Sequence, residues 1–173
     1  TAIKLCSSHI TKNMKQDVIK HFKGKHVPYV AALIGGIFNV TSFQEIDKYI
    51  KMFLTVLISK YETKECKDAK EAFDKLSCEE IWSENEESGL EQCEEIDHEF
   101  QEFDTIFNDS NFFQLYAEFV KSSATLCIKK SSLPENQFYS EKFASVFLKK
   151  YIAYLPLWSS LLTAIRSTTV QRT

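Results

Sequence analysis

Cys6 and His9 stand three positions apart at the entrance to a lysine-rich stretch, a spacing that could bring a thiolate and an imidazole onto one metal ion. Full coordination takes two further ligands. His21, His26, Cys66 and Cys127 carry suitable atoms, but no spacing selects two of them. The competing reading is a packed, hydrogen-bonded pair, the ordinary fate of a free cysteine. As nucleophile and base, Cys6 and His9 lack a third group to orient the imidazole.

Lys12, Lys15, Lys20, Lys23 and Lys25 form the second candidate, a basic face that could meet nucleic-acid phosphates or stay in solvent. They belong to a segregated charge pattern under a net charge of −3. Residues 1–26 hold six Lys against one acid, residues 79–109 hold thirteen acids and no Lys or Arg, and residues 121–173 hold eight Lys or Arg against two Glu. The acidic block cannot lie along a nucleic-acid backbone without repulsion. It lacks the alternating oxygen ligands and central glycine of a calcium loop. It reads as a solvated segment, with His98 on its surface. Its Leu90, Ile96 and Phe100 also leave room for a tract that anchors to a basic protein partner.

The aromatic stripes Phe112-Phe113-Tyr116-Phe119 and Phe143-Phe147-Tyr151-Tyr154 could stack bases, but at helical spacing they read as core. The chain carries no phosphate-binding loop, dinucleotide fingerprint, Ser-His-Asp signature or HExxH. Five cysteines at irregular spacing, with no CxxC, argue against a disulfide framework and for a reducing, intracellular location, nucleus or cytoplasm.

The elements that must position these residues read as helices. Ile10, Met14, Val18 and Phe22 predict an amphipathic helix capped by Thr11. Val27 to Val40 reads as a buried helix with Pro28 in its first turn. Gly35-Gly36 could end it or admit a neighbouring backbone. Ser42 and Glu45 form a capping-box pattern ahead of a helix over roughly 43–62. A lysine-rich helix over about 65–77 puts Ala69, Ala72, Phe73 and Leu76 on one face. Another begins after the turn cluster at Asn108–Asn111 and runs to about Leu126. A last long helix starts near Ser140, and Pro156 interrupts it before a short final helix. Lys129 to Pro134 reads as a linker.

The expected fold is therefore all-α, an irregular multi-helix bundle in one domain over 1–173. Thr1–Cys6 is the sole candidate for a short strand, 78–100 an acidic disordered loop or insertion, and 166–173 a frayed tail. Hydrophobic residues at 44% and aromatics at 13% suffice for a core. No apolar run reaches the roughly 18–20 residues that span a bilayer, so no membrane partner is expected. The sequence shows no secretory leader, and the lack of an initiating Met suggests an excised piece.

Two segments together carry a family resemblance. Leu5-Cys6-Ser7-Ser8-His9-Ile10-Thr11-Lys12-Asn13 resembles the CxxH segment of Mutator-like and hAT-type transposases, where a short strand leads into a lysine-rich helix. Phe147-Leu148-Lys149-Lys150-Tyr151, followed by Tyr154-Leu155-Pro156-Leu157-Trp158-Ser159, is similar to a YxPLWS segment of domesticated transposable-element proteins. The resemblance implies an RNase H-like relative in which three acids hold two divalent metals for strand cleavage. In that family two acids precede CxxH and the third follows a helical insertion. Asp17, Glu141 and the acidic block do not occupy those motif positions. Only Cys6 and His9 carry over, as motif positions. The implied function is a catalytically incomplete, transposase-derived helical domain with non-specific DNA affinity. No cofactor is expected in this chain, and a divalent metal only in an intact relative. The alternative is a helical protein-interaction module with an acidic arm.

Overall fold

Ile10, Met14, Val18 and Phe22 recur every four residues, and all four are buried on one side of the first helix, α1 (Ser7–His21). The computed structural model describes residues 7–22, 24, 26–40, 42–75, 110–123 and 132–155. Helix α1 is already under way at Ser7, so Thr11 sits inside it and does not cap it. Gly24 follows with φ of 58°, the left-handed region that costs a glycine nothing, and accepts the Val27 N–H at 3.1 Å. That turn starts α2 (His26–Asn39), with Pro28 in the first turn where a missing N–H is harmless. The helix runs through Gly35-Gly36. A Cβ at Gly36 would meet nothing within 4 Å, so close approach of another backbone does not explain that glycine.

Helix α3 (Phe43–Ile58) is the centre of the packing and buries Ile46, Ile50, Phe53, Leu54, Val56, Leu57 and Ile58. Ser42 has the extended backbone of a cap residue, and its carbonyl accepts the Ile46 N–H at 3.0 Å. Its hydroxyl makes no capping bond. The capping-box pattern thus marks the boundary without its side-chain exchange; burial of the apolar face holds the helix instead. The helix stops at Ile58, four residues short of the periodicity. Ser59 turns extended and its hydroxyl donates to the Thr55 carbonyl at 2.6 Å.

The reason for the early stop lies far along the chain. Asn136, buried in the segment 132–139, donates its amide to the carbonyls of Val56 at 2.6 Å and Ser59 at 2.7 Å. Its own N–H reaches the Lys60 carbonyl, and the Glu62 N–H reaches that of Pro134, both at 2.9 Å. Carbonyls left open at a helix C-terminus need partners, and this loop supplies them. Pro134, the last residue of the stretch read as a linker, and Asn136 just after it therefore close the end of α3, with the isolated bridge Tyr61–Glu135 beside them; Lys129 to Ser131 lie outside the described residues.

Helix α4 (Lys64–Asp74) begins at Thr63, whose hydroxyl accepts the Cys66 N–H, and it buries Cys66, Ala69 and Phe73. Helix α5 (Asn111–Ser123) buries Tyr116 alone. Phe112, Phe113, Phe119 and Val120 pack half-buried against the core, and Leu115 is 43% exposed.

Helix α6 (Glu141–Val146) starts where predicted, the Ser140 hydroxyl accepting the Phe143 N–H at 3.2 Å. It runs into a π-helical turn, Phe147–Tyr151, and a 3-10 turn, Ile152–Tyr154. The Ile152 N–H points at both the Leu148 and Phe147 carbonyls, which marks the widened turn.

One hydrophobic cluster takes residues from all six helices. Phe53 lies inside it, edge-on to Phe147 at 5.0 Å, Phe143 at 6.3 Å and Phe73 at 6.4 Å. The described residues are all-α, as the periodicity required. The candidate strand Thr1–Cys6, the acidic insertion 78–100, the helix after Pro156 and the tail 166–173 lie outside the described residues, as does Leu76. No helix among the described residues is long and apolar enough to cross a membrane.

Candidate nucleic-acid interface

The core-facing side of α1 decides where its charges go. With Ile10, Met14 and Val18 inward, Lys12 and Lys20 are exposed and Lys15 is half-buried. Lys12, Gln16 and Lys20 follow one another at four-residue intervals and so share a strip of the helix. Lys23 and Lys25 lie outside the described residues.

Asp17, the lone acid of α1, does not sit among these lysines on the surface. It is 6% exposed, at the border of the apolar face. A carboxylate taken out of water needs close donors or cations, or its desolvation costs several kcal/mol. Asp17 has three. The Tyr151 hydroxyl donates to Oδ2 at 2.6 Å, Lys150 Nζ stands 3.2 Å from the same oxygen, and Lys20 Nζ stands 3.8 Å from Oδ1. Tyr151 and Lys150 come from the π turn, which thereby docks beside α1. His21 adds a ring contact with Phe143 at 5.6 Å between centroids.

Lys20 and Lys150 share one carboxylate at this seam, and Lys12 is exposed on the same helix as Lys20. The surface of α4 is different. Its lysines and acids alternate, and Lys70 Nζ bonds Glu62 at 2.7 Å, which holds the Glu62 carboxyl below its ordinary range. Mixed charge of that kind repels and attracts a polyanion in equal measure.

The metal reading of the first segment gains no partners. Cys6 lies outside the described residues, and His9 falls in the first turn of α1. Of the further ligands considered, His21 packs on Phe143, and His26 meets the Phe138 ring edge-on at 5.1 Å. Cys66 is buried, and burial pushes its thiol above the ordinary range, away from the thiolate a metal binds. Cys127 lies outside the described residues. Among the described residues no group of three or more His, Cys, Asp or Glu is placed to hold a metal ion. Asp17, ringed by two ammonium groups and a phenol, does not fit a metal ligand either.

A second feature is an apolar groove of about 360 Å³ between α5 and α6. Phe113, Ala117 and Val120 line one wall, Ala144 and Leu148 the other, and Lys121, Lys149 and Glu141 stand at the rim.

Sequence reasoning named the α1 lysines but missed Asp17, Lys150 and Tyr151 as partners. One signal was present: a single acid in a basic helix, between Met14 and Val18 on the apolar side and three residues before Lys20. Nothing local pointed to the π turn, which lies 134 positions away.

None of the protein-family models, curated proteins or solved structures compared with the chain matches it.

Proposed function

We propose that this chain is the helical insertion region of a transposase-derived protein, catalytically incomplete by itself, that holds nucleic acid through backbone phosphates. The observation that carries the reading is the fate of charge on α1. Its one carboxylate is buried and held by Tyr151 and Lys150, with Lys20 3.8 Å away, while the Lys12 and Lys20 side chains are exposed. A basic strip whose only acid is buried suits a polyanion, and contacts to phosphates alone carry no base sequence. The sequence resemblance supports the lineage, and the all-α core carries the helix that presents the strip.

The test is binding of the chain to a random-sequence DNA duplex across a salt series. Neutralising phosphates releases counterions, so affinity falls steeply between about 50 and 200 mM salt. Lys12→Ala with Lys20→Ala lowers the slope by about 1 for each phosphate that is no longer neutralised. Flat salt dependence, or no binding at about 50 mM salt, ends the DNA reading.

One observation favours a second reading, a protein-interaction module with an acidic arm. Helix α5 buries one residue and leaves the groove beside it. Deleting 83–99 separates the two. On the first reading DNA binding persists or improves. On the second, capture of a basic protein partner is abolished.

A further inference from the structure

The groove between α5 and the α6 segment leaves a face of α5 uncovered. Phe113, Ala117 and Val120 line it, each half-buried, and Lys121 and Lys149 stand exposed at its rim. Its direction follows from three ties. Phe43 at the start of α3 meets Phe112 at 6.0 Å between ring centroids, the Leu57 carbonyl near the end of α3 accepts the Ser140 N–H at 2.8 Å, and the Ser110 hydroxyl donates to the Ala153 carbonyl at 3.4 Å. The α6 segment therefore runs antiparallel to α5, with Lys149 toward the start of α5 and Glu141, the one acid of the rim, toward its end.

The sequence immediately before α5 has the pattern of an occupant. Ile96, Phe100, Phe103 and Phe107 recur at four-, three- and four-residue steps, a spacing that puts them on one face of a helix. Asp97 and Asp104 flank that face on one side and Glu99 on the other, and residues 96–107 hold no Lys or Arg. We propose that residues 96–107 form the antiparallel partner of α5 in a helix hairpin and lay their apolar face in the groove, with their carboxylates toward Lys121 and Lys149. Helix hairpins are joined by roughly two to five residues, and Asn108-Asp109-Ser110 separates Phe107 from the first residue of α5. At roughly 1.5 Å per residue, a helix from Ile96 to Phe107 spans about 16 Å, enough to cover the about 12 Å from Phe113 to Lys121. The other stretches outside the described residues, 1–6, 124–131 and 156–173, carry no acid to meet the two lysines. The last of them also follows a Leu155 that is already helical, which leaves no loop to turn it back along α6. The hairpin is independent of the phosphate-binding reading and fills, from within the chain, the groove that the second reading leaves open.

Three substitutions separate this occupant from others. Ala117→Asp puts a carboxylate in the groove wall and must expel an apolar face. Lys121→Glu and Lys142→Glu change the net charge equally, and both lysines are exposed, but Lys121 stands on the rim and Lys142 does not. An acidic segment held in the groove must feel the first reversal and not the second.

Amide hydrogen exchange of residues 96–107 is followed in the full chain and in these three variants, with the amides of α3 as the internal check of folding and light scattering over a dilution series. Protection of 96–107 that falls about tenfold or more in Ala117→Asp, about two- to fivefold in Lys121→Glu and not at all in Lys142→Glu supports the hairpin. Exchange of 96–107 in the full chain as fast as in an unfolded peptide overturns it. So does protection that Ala117→Asp leaves unchanged, or that the two charge reversals affect alike. Protection lost on dilution together with a halving of the mass assigns the groove to a second copy and also overturns it. If Ala117→Asp strips protection from α3, the contrast between the two lysine variants decides alone. No readout here involves DNA, so loss of the hairpin spares the phosphate-binding reading, and absence of DNA binding spares the hairpin.

Discussion

Helices α3 and α5 carry the same kind of pattern, apolar residues at three- and four-residue spacing, and meet different fates. Seven residues of α3 are buried, and its C-terminus is closed by Asn136 from a distant loop. Helix α5 buries Tyr116 alone, whose hydroxyl donates to Asp47 of α3 at 3.0 Å. Amphipathic spacing tells which face of a helix is apolar. It does not tell how much of that face the rest of the chain covers, because coverage depends on elements distant in sequence.

The hardest blow to this contrast is Phe53→Ala. It removes a ring that touches Phe73, Phe143 and Phe147 at once, and a large aromatic-to-alanine change in a packed core costs about 3–5 kcal/mol. Urea unfolding should show most of the stability of a marginal domain gone. A decrease below about 1 kcal/mol would contradict the central place of α3.

Tyr116→Phe comes next. It keeps the buried ring and removes the hydroxyl bonded to Asp47, which Lys51 still holds at 2.8 Å. The expected cost is about 1 kcal/mol. The same residue gives a pH signature. Burial first, and then the neighbouring Asp47 carboxylate, hold the Tyr116 phenol above its ordinary value; burial does the same for Tyr29, whose hydroxyl has no hydrogen-bond partner among the described residues. The unfolded chain therefore loses these protons first. Stability is unaffected below about pH 10 and falls as pH rises beyond it. Tyr116→Phe should flatten part of that alkaline decline in thermal melts, and an identical decline in the variant would refute the assignment.

Lys70→Met tests a smaller tie between α4 and the segment that follows α3. Lys70 bonds Glu62 and lies 5.0 Å above the Phe138 ring. The depressed Glu62 carboxyl contributes stability above the usual carboxylate range, lost as pH falls through its lowered folded value. Because the pair is partly exposed, its removal should cost no more than about 1 kcal/mol and should flatten the acid limb of a stability–pH curve. The smallest effect belongs to Leu115→Ser on α5, expected within about 0.5 kcal/mol of the parent. A cost like that of Phe53→Ala would show that α5 is as fully packed as α3.

The α1 seam and the Asn136 loop show how far the sequence could be read. The core stripe of α1, the start of α6 at Ser140 and the Pro28 entry to α2 were legible, because each depends on neighbours within one or two helical turns. The Ser42–Glu45 box was legible as a boundary but not as a hydrogen-bond pair, since several side-chain directions satisfy one backbone start. The end of α3 was read four residues late, because the groups that stop it lie on residues 134–136.

What the sequence by itself determined is the helical class, the inward stripe of α1, most of that of α3 and the presence of a lysine-rich face on α1. Three- and four-residue spacing fixes which side chains lie together on a helix, so these follow from local geometry alone. Only the tertiary structure decided that Asp17 turns inward to Tyr151, that Lys150 reaches the same carboxylate, and that α5 stays half-covered. Those outcomes depend on which helices meet. Burying a carboxylate beside a phenol is favourable only once core packing has brought two segments, 134 positions apart, within hydrogen-bonding distance.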